Sequence, residues 1–509
     1  MVVAELFDPS IAPGLVPLGD EGGGRTDPPP LTGILIIDRL WASHFRHLEE
    51  TMHMRIPTLS TIAVLGSAAL GAALLPAQVA AAVPAPDAAG STQLTGELPD
   101  GATWQAEIPA DWNGTAVLFS HGFRGGEDNP AWDQSFAPTA EALNERGVAV
   151  VASSYATTGW ALGTAAQDQL DALAEFEAEA GDASRVIAMG RSMGGLVTSL
   201  LAERPDAGID GAVSTCGLLG GGVSLNNYQL DAAHAALTLL APDADVPLVG
   251  FTDQAQSQGT VEVLSAALDQ ALTTPQGRAR VSLVAALLNA PTELPGVDRR
   301  DPEALAAAQA AYVQTTLPEV ISRRSAIVNA AGGDSGWTAG VDYAALLRDS
   351  SQRHTVRALY RDARLDLRKD LAAVTSAADV EPDEDALDWM LETSVPTGKL
   401  QVPELTTHTL IDTLAPVEYQ EEYAETVRRA GKGGLLRQAF VDREGHCEFT
   451  VAENLAAFDA LEERLDTGRW GRVASTGRLQ ESAEQWGESD YVDFRPGEFV
   501  NDRQWKGQH

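Results

Sequence analysis

Lysine is almost missing from this chain. Lys369, Lys399, Lys432 and Lys506 are the whole complement, and arginine supplies the remaining positive charge. Basic side chains number 35 against 72 acidic ones. The net charge of −37 repels phosphate backbones and anionic lipid surfaces and argues against a nucleic-acid partner. The arginine bias fits a GC-rich genome, with salt adaptation as the alternative. Cysteine is scarcer still: Cys216 and Cys447 are too few for a disulfide scaffold or a zinc ribbon. No repeat period is evident. What is there, 44% hydrophobic and 21% charged residues over 509 positions, belongs to a soluble globular protein with room for one large core and an insertion.

Residues 1–51 are irregular, with glycine and proline runs at 22–24 and 28–30, and read as a mis-called extension. Met52-His-Met54-Arg55, an apolar run from Thr61 to Leu75 and Pro76-Ala-Gln-Val-Ala-Ala-Ala82 then follow. A basic start, an apolar middle and small residues at the end make 52–82 a secretory signal peptide by layout, and the protein is expected to be secreted. A membrane anchor over Thr61–Ala82 is the competing reading. Pro76, Gln78 and the alanines make it a poor span, so no stable membrane insertion is expected.

After a linker at 83–92, Thr92–Leu98 and Thr103–Ile108 read as an antiparallel pair. Apolar strand runs at 114–120, 148–154, 185–190 and 211–216 then alternate with helical patterns at 133–146, 165–179 and 194–203. Continuous apolar strands separated by helices predict a mostly parallel, doubly wound α/β sheet covered on both faces. Strand signal is sparse through 217–400, where Ala- and Leu-rich helical pattern predicts a helical lid insertion. The alternation resumes at 403–411, 417–429, 435–441 and 450–465. The core is thus expected at 93–216 and 401–468. Residues 469–509 form an acidic tail whose aromatics, Trp486, Tyr491, Phe494, Phe499 and Trp505, suggest packing along the domain.

Gly190-Arg-Ser192-Met-Gly194 lies where a strand turns into a helix. The pentad is common by itself, but a serine at such a turn is held in a strained backbone, with flanking glycines that let strand and helix pass closely. A serine hydroxyl needs an imidazole to take its proton. His446 follows the last strand run, and Asp412 follows the preceding one, 34 residues earlier, which leaves room for one helix and one strand. Ser192, Asp412 and His446 are the candidate nucleophile, acid and base, with Asp442 the rival acid. His121-Gly122-Phe123 ends the first buried strand, so the Phe123 and Met193 N–H groups are the candidate oxyanion donors.

Ser120-His-Gly122, the serine pentad, Asp412 and Gly445-His446, in that order, resemble the α/β-hydrolase superfamily. Within it they are most similar to secreted actinobacterial serine hydrolases of the prolyl-oligopeptidase-like and esterase branch. The resemblance covers about 93–468 and implies an α/β-hydrolase fold, a large helical lid between the sixth and seventh strands, and hydrolysis of an ester or amide through an acyl-enzyme, without a cofactor. Two departures stand out. Members of the group often carry His-Gly-x-x-Asp up to the acid, where this chain has His408-Thr409, and there is no room for a β-propeller ahead of the core.

The remaining candidates are weighed against plainer roles. Gly333-Asp-Ser335-Gly336 echoes another protease motif, yet no histidine–cysteine pair precedes it, so a loop in the insertion is expected. His121, His408 and His446 lack metal-ligand spacing, and no metal is expected. Cys216 and Cys447 end neighbouring segments of the predicted site, and a bridge between them is favoured over two buried thiols. Trp337, the one large aromatic near a glycine-rich break in the insertion, is the candidate for the substrate pocket. Three functions remain: cleavage of carboxylic esters in a small or polymeric substrate, an amidase or peptidase with the same triad, and a non-catalytic binding protein on a hydrolase scaffold.

Overall fold

The computed structural model describes residues 90–500. The extension, the leader and Trp505 lie outside the described residues. Strands β1 (Thr92–Glu97), β2 (Thr103–Ile108), β3 (Thr115–Ser120), β4 (Ala149–Ser153), β5 (Arg185–Arg191), β6 (Gly211–Thr215), β7 (Glu404–Ile411), β8 (Leu436–Glu444) and β9 (Tyr491–Val492) form one sheet in the order β1-β2-β4-β3-β5-β6-β7-β8-β9. From β4 to β8 every neighbouring pair is parallel, while β1–β2, β2–β4 and β8–β9 are antiparallel. This is the α/β-hydrolase fold.

Side-chain alternation shows why the parallel strands read as unbroken apolar runs. In β3, Ala116 and Leu118 enter one core while Val117 and Phe119 enter the other, and β4 divides Ala149 and Val151 from Val150 and Ala152 in the same way. Helices α1 (Ala137–Asn144), α2 (Ala165–Ala180) and α3 (Met193–Glu203) cover the sheet between successive strands. Phe176 of α2 and Leu196 and Leu201 of α3 fill one core, whereas Leu143 of α1 fills the other.

Between β6 and β7 the chain is helical, as its pattern predicts. The insertion runs through α4 (Gly221–Leu240), α5 (Gln254–Leu272), α6 (Pro275–Leu287), α7 (Pro302–Ala331), α8 (Tyr343–Asp349), α9 (Arg353–Asp362), α10 (Leu367–Ala377) and α11 (Glu384–Thr393). The longest, α7, has clear boundary chemistry. The Asp301 side chain accepts from the Glu303 and Ala304 N–H groups, Pro302 opens the first turn, and left-handed Gly332 ends it. No helix among the described residues is long and apolar enough to cross a membrane.

After β7 come α12 (Tyr419–Arg429), α13 (Val451–Thr467) and α14 (Thr476–Ala483). The sequence reading ends the core at 468, and here the structure differs. Tyr491 and Val492 pair with Val441 and Phe440 of β8, adding a ninth strand. Trp470, Leu479 and Tyr491 join the second core, and Phe499 packs against Tyr228 and Tyr419. A strand of two residues is too short to leave a periodic signal.

Candidate active site

Ser192 stands between β5 and α3 with φ 58° and ψ −126°, outside the regions open to most side chains. Its own N–H donates to the Thr215 carbonyl of β6. The motif glycines are required by close approach. A Cβ on Gly190 would strike the Gly194 carbonyl and Thr198 Oγ1, and one on Gly194 would strike the Ser120 and His121 carbonyls.

The structure brings the three predicted residues together. His446 Nε2 lies 2.7 Å from Ser192 Oγ, and His446 Nδ1 lies 2.8 and 2.9 Å from the two Asp412 carboxylate oxygens. Asp412, not Asp442, partners the histidine. Burial alone would raise the Asp412 carboxyl, but the neighbouring His446 and the Ala415 N–H hold it below its ordinary value. The Leu414 and Ala415 N–H groups both donate to its Oδ1. Thr409, where the resembling hydrolases carry glycine, donates its hydroxyl to the Gly445 carbonyl, and Gly445 N–H donates to Ile411 O. These two bonds moor the histidine loop to the end of β7.

A Cβ on Gly122 would lie 3.1 Å from Ser192 Cβ, so the 121–123 loop presses against the serine. The Phe123 and Met193 N–H groups have no protein acceptor among the described residues. His121 is buried, stacks on Tyr155 with ring centres 4.0 Å apart, and has its pKa pushed down to about 4 by burial and nearby Arg124. It is a neutral part of the loop framework. His408 is likewise buried and pushed down by burial, with Nδ1 2.8 Å from the Thr409 carbonyl. Cys216 and Cys447 stand at disulfide distance, with Cα atoms 5.3 Å apart and Cys447 Sγ 3.5 Å from His446 Nε2. The ligand-type atoms of Cys216, His446 and Cys447 all lie within 4.8 Å of one another, but the two sulfurs face each other as a pair.

A cleft enclosing about 520 Å³, mouth included, opens on Ser192. Its apolar walls are Phe123, Trp160, Leu218, Leu225, Val320 and Ile327, and its polar groups besides Ser192 are Gln229 and Arg323. Trp337 does not line it. That side chain is buried inside the insertion, the Trp337 backbone N–H donates to Asn227 Oδ1 of α4, and Trp160 is the tryptophan at the cleft. The glycine-rich break at 332–333 turns the chain inward after α7, which buries the segment that follows. Ser335 is buried there too, its hydroxyl accepting from Asn226. Sequence reasoning missed Trp160, Gln229 and Arg323. The only available signal was the 3 and 4 spacing of Val320, Arg323 and Ile327, which places them on one helix face without saying what that face meets.

The loop after Asp412 rests on buried phenols. Tyr312 donates to the Asp412 carbonyl at 3.0 Å, and burial raises the Tyr228 and Tyr312 phenols above their ordinary value. Glu418 is buried with Oε2 unpartnered, and burial pushes its carboxyl up to about 8 from an ordinary 4.5. The folded state therefore holds this proton more tightly than the unfolded chain. Its stabilisation is complete below the unfolded value near 4.5 and is lost as pH rises through about 8. Each unit is worth about 1.4 kcal/mol, and relaxation should leave on the order of 1–3 kcal/mol of the full shift. Glu418→Gln is expected to flatten the fall in urea-unfolding free energy between pH 5 and 8.5. Parallel profiles for the two proteins would count against this.

Among curated proteins, the o-phthalyl amidase of Xanthobacter agilis is 30% identical to the chain over 410 residues, covering 74% of this chain and 88% of that one. The chain belongs to the family of that amidase. It is a serine hydrolase with an α/β-hydrolase fold. No family model matches. Solved structures include feruloyl esterase B from Aspergillus oryzae, 13% identical with a TM-score of 0.35 over 74% of this chain and 81% of that one. An acylaminoacyl peptidase from Pyrococcus horikoshii is 11% identical, with a TM-score of 0.33 over 74% of this chain and 41% of the peptidase. The chain thus spans about two fifths of that peptidase's length. At such scores the strand order of the chain itself carries the fold.

Proposed function

We propose that the chain cleaves carboxylic esters and amides with Ser192 as nucleophile, His446 as general base and acid, and Asp412 as the group that orients His446. The observation that carries this reading is the run of short contacts from Ser192 Oγ to His446 Nε2 and from His446 Nδ1 to Asp412. Ser192 Oγ passes its proton to Nε2 as it attacks the acyl carbon. The Met193 and Phe123 N–H groups receive the negative oxygen, and Nε2 returns the proton to the departing oxygen or nitrogen. Water then repeats the sequence on the acyl-enzyme. Asp412, charged and buried, keeps the Nδ1–H tautomer and stabilises the imidazolium as it forms.

In this reading the helical insertion serves as the lid. The aromatic and aliphatic walls of the cleft suit an aryl acyl group. The amidase relative favours amide over ester as the bond cleaved, and an o-phthalyl group is a benzoyl group bearing a second carboxyl on the ortho carbon. We also propose export by the 52–82 leader and an oxidised Cys216–Cys447 pair.

A fluorophosphonate probe is expected to label Ser192 in the native protein, as read by peptide mass spectrometry. Benzoyl 4-nitroanilide and 4-nitrophenyl benzoate share an acyl group and should both be turned over, the ester faster because its leaving group is better. An unlabelled Ser192 with neither substrate cleaved would overturn the proposal.

A further inference from the structure

We propose that Arg323 is the specificity-determining residue of the cleft, selecting acyl groups that carry a carboxylate of their own, with Glu319 holding its guanidinium in place until such a group arrives. The proposal rests on the reading of Ser192 as nucleophile. Helix α7 turns Val320, Arg323 and Ile327 to the cleft at helical spacing, so a guanidinium sits where the pattern would otherwise supply a third apolar side chain. Among the described residues it is the one charged group lining the cleft that opens on Ser192.

The adjacent arginine shows what a structural role looks like in the same helix. Arg324 is buried, paired with Asp334 and donating to the Asn226 carbonyl, which fastens α7 to α4. Arg323 is half-exposed, and its carboxylate partner is Glu319 one turn back, at 2.6 Å. Pairs of this kind on a helix surface are weak and exchange readily. A substrate carboxylate can therefore take the place of Glu319, and the planar guanidinium fork matches it in a two-point contact. The charge of the whole chain makes such a cation useful. At a net of −37 the protein repels anions, so an anionic acyl group needs a local positive charge to settle beside the serine. Phe123 and Trp160 offer aromatic surface to the ring that would bear it.

The test compares 2-carboxybenzoyl and benzoyl 4-nitroanilides. Arg323→Met is expected to lower the ratio of their kcat/KM values roughly 10- to 100-fold, the size of a lost charge-assisted hydrogen bond. Arg323→Lys should recover part of the ratio, and Glu319→Gln should raise it about threefold, since the pair it removes is weak. Raising the salt concentration should lower the ratio in the native protein and leave it flat in Arg323→Met. Phthalate binding to Ser192→Ala protein, measured by calorimetry, reads the anion contact without turnover and should weaken by a similar factor when Arg323→Met is added. An unchanged ratio, or unchanged phthalate binding, would overturn the proposal, including the case in which only the melting temperature moves, the mark of a plain helix pair. If neither anilide is cleaved while phthalate binding still depends on Arg323, the nucleophile reading fails and the anion site stands.

Discussion

Ser192→Ala is expected to lower kcat by about 10⁴- to 10⁶-fold with the fold kept, and His446→Ala to match it. The two losses should not add, because each removes the same proton transfer. Asp412→Asn should cost on the order of 10⁴. Asparagine keeps the shape of the carboxylate, but its amide presents an N–H to His446 and supplies no charge to the imidazolium. The backbone donors at Leu414 and Ala415 then lose their ionised acceptor as well. Ser335→Ala is the control, since that hydroxyl is buried in the insertion against Asn226. Circular dichroism and melting curves for each variant separate chemistry from unfolding. A protein disabled by Ser335→Ala and unharmed by Ser192→Ala would overturn the assignment.

Cys216→Ser with Cys447→Ser carries the second large effect. The cysteines are separated by 231 residues, a span that takes in the whole insertion together with β7, α12 and β8. Closing so long a loop removes much freedom from the unfolded chain, about 5 kcal/mol in the chain-entropy model and typically 2–4 kcal/mol in practice. Guanidinium unfolding of the native protein with and without reductant, beside the double variant, should show this loss. Activity should fall too. Cys447 holds a left-handed backbone at φ 63° directly after His446, and Cys216 at φ 46° directly follows β6 beside the serine turn. Tying those two turns together fixes the imidazole over Ser192. Reduced and oxidised protein with equal stability and equal kcat, or two cysteines freely alkylated without reductant, would remove the bridge from the account.

Both results depend on residues visible in the chain before any folding. Period-2 and period-3.6 patterns arise from local backbone geometry, so the strands of the sheet, the helical insertion and the order Ser192, Asp412, His446 could be read directly. The position of each candidate at the end of a strand follows from the same rhythm. The two cysteines were legible as neighbours for that reason, lying beside strand ends in one sheet.

What the sequence could not decide is where the insertion folds back. The four longest helices of the insertion, α4 to α7, show little polar contrast between their faces and have many ways to pack, and burial does not tell which face meets the serine. Trp337 and Trp160 are alike by composition, yet packing buries the first inside the insertion and places the second at the cleft. Arg323 and Arg324 are neighbours in the chain, and a single step of about 100° around α7 sends one to the cleft and the other to Asp334. The ninth strand was hidden because its two residues draw their order from β8. The sequence by itself determined the first eight strands of the sheet, the nucleophile turn and the order of the triad candidates, because those are local or follow from strand order. Tertiary structure alone decided the walls and the charge of the cleft, because these arise from contacts between segments far apart in the chain.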